Sequence, residues 1–330
     1  MVMHRRRLLK NAAGLALGAA LGAPAIAQAR TKLRLGYLHV VAVDGQIWTG
    51  LDRGTFDRHG IDFDLLECNT GPEVFEAMAA GKLDVLSAGG VISNYLALGA
   101  GRAFLINDIE IATAQLWVRP DKGVRTFADL KGKPVATTAK TTAHIFLDRA
   151  LRASNLSLAD IELRNSNMSA AVASFIAGDV PAVALWVPFN IAVREKLPNA
   201  IKLVDASAFY PQSAVVGGWV ARSDFHAGNK EVLARIVKGW AEANDYMVRN
   251  QAAAAEALKN HYLHATLADI GEAFKAQKMY SSREWKRLYS DGTVAKWLQQ
   301  VSDFFMAEAG ATKATPASDY FDTSIYLSTI

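Results

Sequence analysis

The segment Pro134 to Leu151, PVATTAKTTAHIFLDRAL, groups the side chains with the clearest capacity for chemistry. Thr137, Thr138, Lys140, Thr141 and Thr142 follow an apolar run ending in Val135 and Ala136, and Phe146, Leu147, Ala150 and Leu151 then recur at helical spacing. This predicts a strand, a short polar loop and a helix with Thr141 or Thr142 at its N-cap. Unpaired N–H groups and a partial positive charge at such a helix start hold small anions, and the two hydroxyls add donors. His144, in the first turn, is expected neutral, either as a ligand contact or as a cap. Most such corners in α/β proteins bind nothing, so the segment is a candidate and not yet a site.

Other candidates lie at further strand ends. Ser87, Gly89 and Gly90 in SAGG allow close backbone approach. Tyr37, His39 and Gln46, around the loop HVVAVDG, offer polar contacts. Trp186, just before Pro188, would close over a ligand with its indole, and Phe189 stands beside it. Trp219, next to Gly217 and Gly218, reads as a core or hinge residue, and Lys140 as a solvated cation. Cys68 is the single cysteine, which excludes a disulfide framework, a zinc finger and a CxxC motif. With no GxSxG elbow, HExxH site or P-loop either, no catalytic residue, metal or cofactor is expected.

The net charge of +4 is concentrated at one end. Without Arg5, Arg6, Arg7 and Lys10, 32 basic residues face 32 acidic ones, so no nucleic-acid or anionic-membrane surface is implied. HRRRLLK, then the apolar Ala12 to Ala27, then Ala27-Gln28-Ala29 read as a signal peptide over residues 1–29. Its arginine pair followed by Leu8, Leu9 and Lys10 resembles the twin-arginine export motif, implying a periplasmic location.

From Lys32 onward short apolar runs alternate with helical patterns, the signature of α/β packing, and beyond Ala221 the pattern is almost wholly helical. The expected architecture is two α/β lobes with a C-terminal helical cover: residues 30–117 and 217–330 in one lobe, 118–216 in the other. Chain crossings are expected near Leu116 to Pro120 and Ser213 to Gly218, with a cleft between the lobes. The corners Ala80 to Val85 and Ala177 to Ala182 form a faint internal echo, each stopping a helix at a glycine.

GKLDVLSAGG (Gly81 to Gly90), LWVRPDKGVRTFADLKGKPVA (Leu116 to Ala136) and AGDVPAVALWVPF (Ala177 to Phe189) resemble the periplasmic substrate-binding proteins of ABC importers. Within them the chain is similar to the taurine, aliphatic-sulfonate and nitrate-binding group, which also contains pyrimidine-precursor binders. The resemblance implies a type II periplasmic-binding-protein fold with a two-stranded hinge, a monomer without cofactor, closure on one small solute, and delivery to a permease and its ATPase. Thr141-Thr142 replaces the small pair usual before His144, and Pro181 replaces the usual Asp. The solute expected is an organic anion, a sulfonate or carboxylate, held by Thr141, Thr142 and the Ser87 to Gly90 turn and covered by Trp186 and Phe189. A neutral pyrimidine is the alternative, and an enzyme or a sensor on the same fold are the rivals.

Overall fold

A computed structural model describes residues 30–211, 214–263, 265–308 and 315–330; the predicted export segment lies outside them. The first part of the chain runs β1 (Thr31–Leu38), α1 (Val41–Asp52), α2 (Thr55–Arg58), β2 (Ile61–Cys68), α3 (Gly71–Ala79), β3 (Val85–Ala88), α4 (Ile92–Ala97) and β4 (Arg102–Ile109). There follow β5 (Ala114–Val118), β6 (Pro134–Thr137), α5 (Thr142–Ala153), β7 (Glu162–Asn165), α6 (Met168–Ala177), β8 (Ala182–Trp186), α7 (Asn190–Lys196) and β9 (Ile201–Asp205). β10 (Val216–Ala221) precedes α8 (Ser223–Gly228), α9 (Lys230–Arg249), α10 (Gln251–Leu258), α11 (Leu267–Ala276) and α12 (Ser282–Ser290). The chain ends in α13 (Thr293–Glu308), α14 (Ala317–Tyr320) and α15 (Thr323–Thr329).

Two five-stranded sheets result, ordered β2-β1-β3-β10-β4 and β7-β6-β8-β5-β9. In the first, β1 runs parallel to β2 and β3, and β10 is antiparallel to β3 and β4. The second repeats the plan, with β6 parallel to β7 and β8 and β5 antiparallel to β8 and β9. Each sheet therefore takes in one strand delivered by a crossing. The predicted boundary at 117/118 falls inside β5, because Ala114 to Val118 pair with β8 and β9 of the second sheet. The chain changes sheets at residues 110–113, earlier than Leu116, and rejoins the first sheet at Val216. The two crossings lie side by side, with the Glu110 N–H donating to the Val215 carbonyl at 2.9 Å.

Two local expectations are corrected. HVVAVDG is largely helix: α1 begins at Val41, and its N-cap Val40 offers no capping side chain, so the usual start signal is missing. The helix forms there because Val41, Val43 and Ile47 are buried against the first lobe. β9 was not predicted, its residues being only partly buried at a sheet edge.

The first lobe is centred on a cluster including Leu35, Val85, Phe104, Trp219, Trp240 and Trp285, so Trp219 is a core residue. Phe56 locks α9 to this core: a Cβ added at Gly239 would lie 2.6 Å from its ring. The second sheet is covered on both faces, by clusters around Phe146 and Leu147 and around Phe175 and Val183. Burying each such side chain contributes roughly 1.5–3 kcal/mol. α13 bridges the lobes, packing Val301 and Phe305 against Ile145 of α5.

Candidate functional site

A cavity of about 230 Å³ opens between the lobes. Leu38, Cys68 and Trp186 at the carboxyl ends of β1, β2 and β8 line it, with Gly89 just after β3 and Thr141 at the start of the helix that follows β6. Parallel strand ends and the helix starts that follow them are where open α/β sheets bind ligands.

Of the predicted residues, His39, Gly89, Thr141, Thr142, Trp186 and Phe189 line this cavity. Trp186 and Phe189 meet edge to face at 5.7 Å and form its aromatic wall. The other candidates lie elsewhere. Gln46 is fully buried and donates to the Asn107 carbonyl at 3.2 Å, tying α1 to β4. Ser87 is part of β3 and donates to the Val43 carbonyl at 2.9 Å. His144 is buried, accepts from the Lys140 N–H at 3.2 Å and sets its ring edge against Phe304, as a cap packed towards α13. Tyr37 is buried behind Glu67, whose carboxylate its hydroxyl reaches at 3.4 Å; burial pushes that hydroxyl up to about 12.

His39 is held rigidly. Its Nδ1 lies 2.6 Å from Asp44 Oδ2, and its ring stacks on Tyr262 at 4.4 Å. Trp48 and Tyr262 also donate to the buried Asp44 carboxylate. The hydrogen bond to Asp44 raises the His39 pKa, opposed by burial.

The residue that organises the cleft is Glu110, in the first crossing. Its Oε1 accepts from the Gly90 N–H at 3.0 Å and the Thr142 hydroxyl at 3.4 Å, and its Oε2 from the Thr113 hydroxyl at 2.9 Å. The N–H and hydroxyl expected to hold a solute anion thus already hold a carboxylate of the chain. Thr141 is engaged as well, donating to the Thr138 carbonyl at 2.6 Å. Burial raises the Glu110 carboxyl above its ordinary value, against the hydrogen bonds from Thr113, Gly90 and Thr142. Glu67 is a second carboxylate at the cavity wall, and among the described residues no lysine or arginine lines it.

Glu67, Cys68, Asn69 and Thr70 on the β2–α3 corner, and Glu110 and Thr113 in the crossing, escaped the sequence reading. Thr70 carried a usable signal, an N-cap threonine with Pro72 in the first turn after a strand, and it does accept from the Glu73 N–H. Glu110 carried none, since its partners come from two other parts of the chain.

A second cavity, of about 300 Å³, lies between α5, α13 and the crossings and shares Glu110 with the first. Its walls are mainly apolar, including Ile109, Phe146, Val215 and Val301, and no parallel strand end opens into it.

Two lobes of this topology around an interlobe cleft define the periplasmic-binding-protein fold. Residues 45–254 match the family model described as NMT1/THI5 like, and the chain belongs to that family. A putative binding protein of Brucella abortus is 26% identical over 270 residues, covering 82% of this chain and 83% of that one. A putative aliphatic sulfonates-binding protein of Bacillus subtilis is 24% identical, covering 82% and 79%. Among solved structures, the alkanesulfonate-binding protein SsuA of Xanthomonas axonopodis pv. citri, bound to MOPS, superposes with a TM-score of 0.72 at 22% identity, covering 90% and 99%. The desulfurization enzyme DSZB shares the fold at a TM-score of 0.65 and 15% identity, covering 91% and 99%, so the fold by itself does not separate binding from catalysis.

Proposed function

We propose that the chain is an extracytoplasmic solute receptor that closes its lobes over one small organic molecule and delivers it to the permease and ATPase of an ABC importer. The observation that carries this reading is the cleft, where five strand ends from both sheets converge on about 230 Å³ walled by Trp186 and Phe189. That volume suits a solute smaller than a drug-sized ligand. Receptor is preferred to enzyme because Cys68, the one thiol in the cleft, is pushed up by burial and by Glu73 and Glu67, the reverse of what a nucleophile needs.

The solute class that fits best is a neutral or amine-bearing molecule with a flat apolar body, of which a pyrimidine is an example, because the donors suited to an anion are engaged by Glu110. An alkanesulfonate or related organic anion is the second reading, favoured by relatives that bind aliphatic sulfonates or alkanesulfonates by name.

Mass spectrometry of the molecule released on denaturing freshly purified protein tests the assignment. Adding that molecule back should lower the radius of gyration by lobe closure about residues 110–113 and 210–215; an unchanged radius would count against a closing receptor. Export by the twin-arginine route rests on Arg5, Arg6 and Arg7. Replacing all three with lysine should abolish the periplasmic form, and undiminished export would remove that assignment.

A further inference from the structure

Glu110 stands where a bound anion would stand. It is 7% exposed, and it joins three places: the β3–α4 turn through Gly90, the start of α5 through Thr142, and its own crossing through Thr113. The backbone is shaped to admit it, since a Cβ added at Gly89 would lie 2.7 Å from Glu110 Oε1. Glu67 adds a second carboxylate to the lining of the cleft. His39, the one side chain there able to become cationic, is turned onto Asp44. The lining of this cleft thus presents the carboxylates of Glu110 and Glu67 and, among the described residues, no guanidinium or ammonium; Arg149 and Arg152 line the second cavity, which Glu110 also borders.

We propose that Glu110 is a tethered carboxylate filling the anion-binding position of this cleft, and that it selects solutes presenting an N–H donor or a protonated nitrogen to its Oε2 while excluding organic anions. A carboxylate has about four lone-pair sites. Three are used here, two on Oε1 and one on Oε2, so Oε2 keeps one for a solute. The Thr113 and Thr142 hydroxyls, each donating to Glu110, remain able to accept from the same solute. An anion brought to this point meets like charge in a poorly screened site, which is how one residue rejects a whole ligand class.

The inference rests on the receptor reading, and its test is separable from that reading. Wild type, Glu110→Gln and Glu110→Asp would be titrated calorimetrically with two N–H donors, 4-aminopyrimidine and benzamidine, and two anions, butanesulfonate and benzoate. Glutamine keeps the length and an acceptor for the Gly90 N–H; aspartate keeps the charge and withdraws it. Wild type should bind a donor probe and neither anion. Glu110→Gln should weaken the donor at least tenfold and gain measurable anion binding. Glu110→Asp should weaken the donor without admitting the anion; the gain of anion binding by Glu110→Gln is the outcome that loss of folding cannot produce. Anion binding by wild type that Glu110→Gln leaves unchanged would overturn the inference while leaving a sulfonate receptor intact. Absence of binding by all four probes to the wild type would overturn it too, and the receptor reading would then stand or fall on the co-purified molecule.

Discussion

The Glu110 carboxylate accepts the Gly90 backbone N–H at 3.0 Å, so the crossing between the lobes is tied directly to the turn at the end of β3. Thr142 completes the link from the other lobe. In the proposed receptor, solute recognition and lobe closure would consequently share one side chain.

Trp186 closes the cleft on the second lobe and is only half-buried. Trp186→Ala should weaken binding of the co-purified solute roughly tenfold or more, about 1.4 kcal/mol, with little change in the Tm of the free protein. Calorimetry and a melt of the same sample check both halves. Equal affinities would remove Trp186 from the site.

Asp108 makes stability fall with rising pH. Burial and the neighbouring Glu110 charge raise its carboxyl well above the ordinary value, with the Gly217 N–H pulling the other way. In the window between the unfolded value, about 3.9, and the raised one, the folded state holds more protons than the unfolded, so stability drops as pH increases. Asp108→Asn should therefore raise Tm at pH 8 by a few degrees and flatten the pH dependence. Glu110, also raised, supplies the slope that remains. A lower Tm at pH 8 than wild type would contradict this account.

His39 is raised by its hydrogen bond to Asp44. The stabilisation from that imidazolium is fully present below about pH 6.5 and is lost as pH rises through the raised folded value. Proton NMR should place the His39 midpoint above 6.5, and Asp44→Asn should bring it down. A wild-type midpoint at or under 6.5 would show the ring to be neutral beside Asp44.

Phe56 is 1% exposed and fits against Gly50 and Gly239. Phe56→Ala should cost about 3–5 kcal/mol in urea unfolding, since helices already this close cannot collapse further into the gap. A loss under 1 kcal/mol would mean that the packing relaxes there.

Local pattern alone made much of this protein legible. The strand, loop and helix around Val135 to Leu151 appear as β6 and α5, because periodicity acts over a few neighbouring residues; Thr141 is the N-cap residue, but its hydroxyl makes no cap hydrogen bond. The glycine stops at Gly81 and Gly178 are both left-handed, with φ of 72° and 90°. Trp186 and Phe189, expected to cover a ligand at a strand's carboxyl end, both line the interlobe cavity.

What tertiary structure alone decided is the charge of the cleft. Thr142 and Gly90 were legible as donors, but the acceptor they meet is Glu110, 32 and 20 residues away along the chain. Nothing near Glu110 in sequence announces that encounter. It follows from β10 inserting between β3 and β4, and β5 between β8 and β9, which sets the two crossings side by side and carries Glu110 into the cleft. A helix start shows locally that an anion can sit there. Which anion does is settled only when the folded chain brings one of its own.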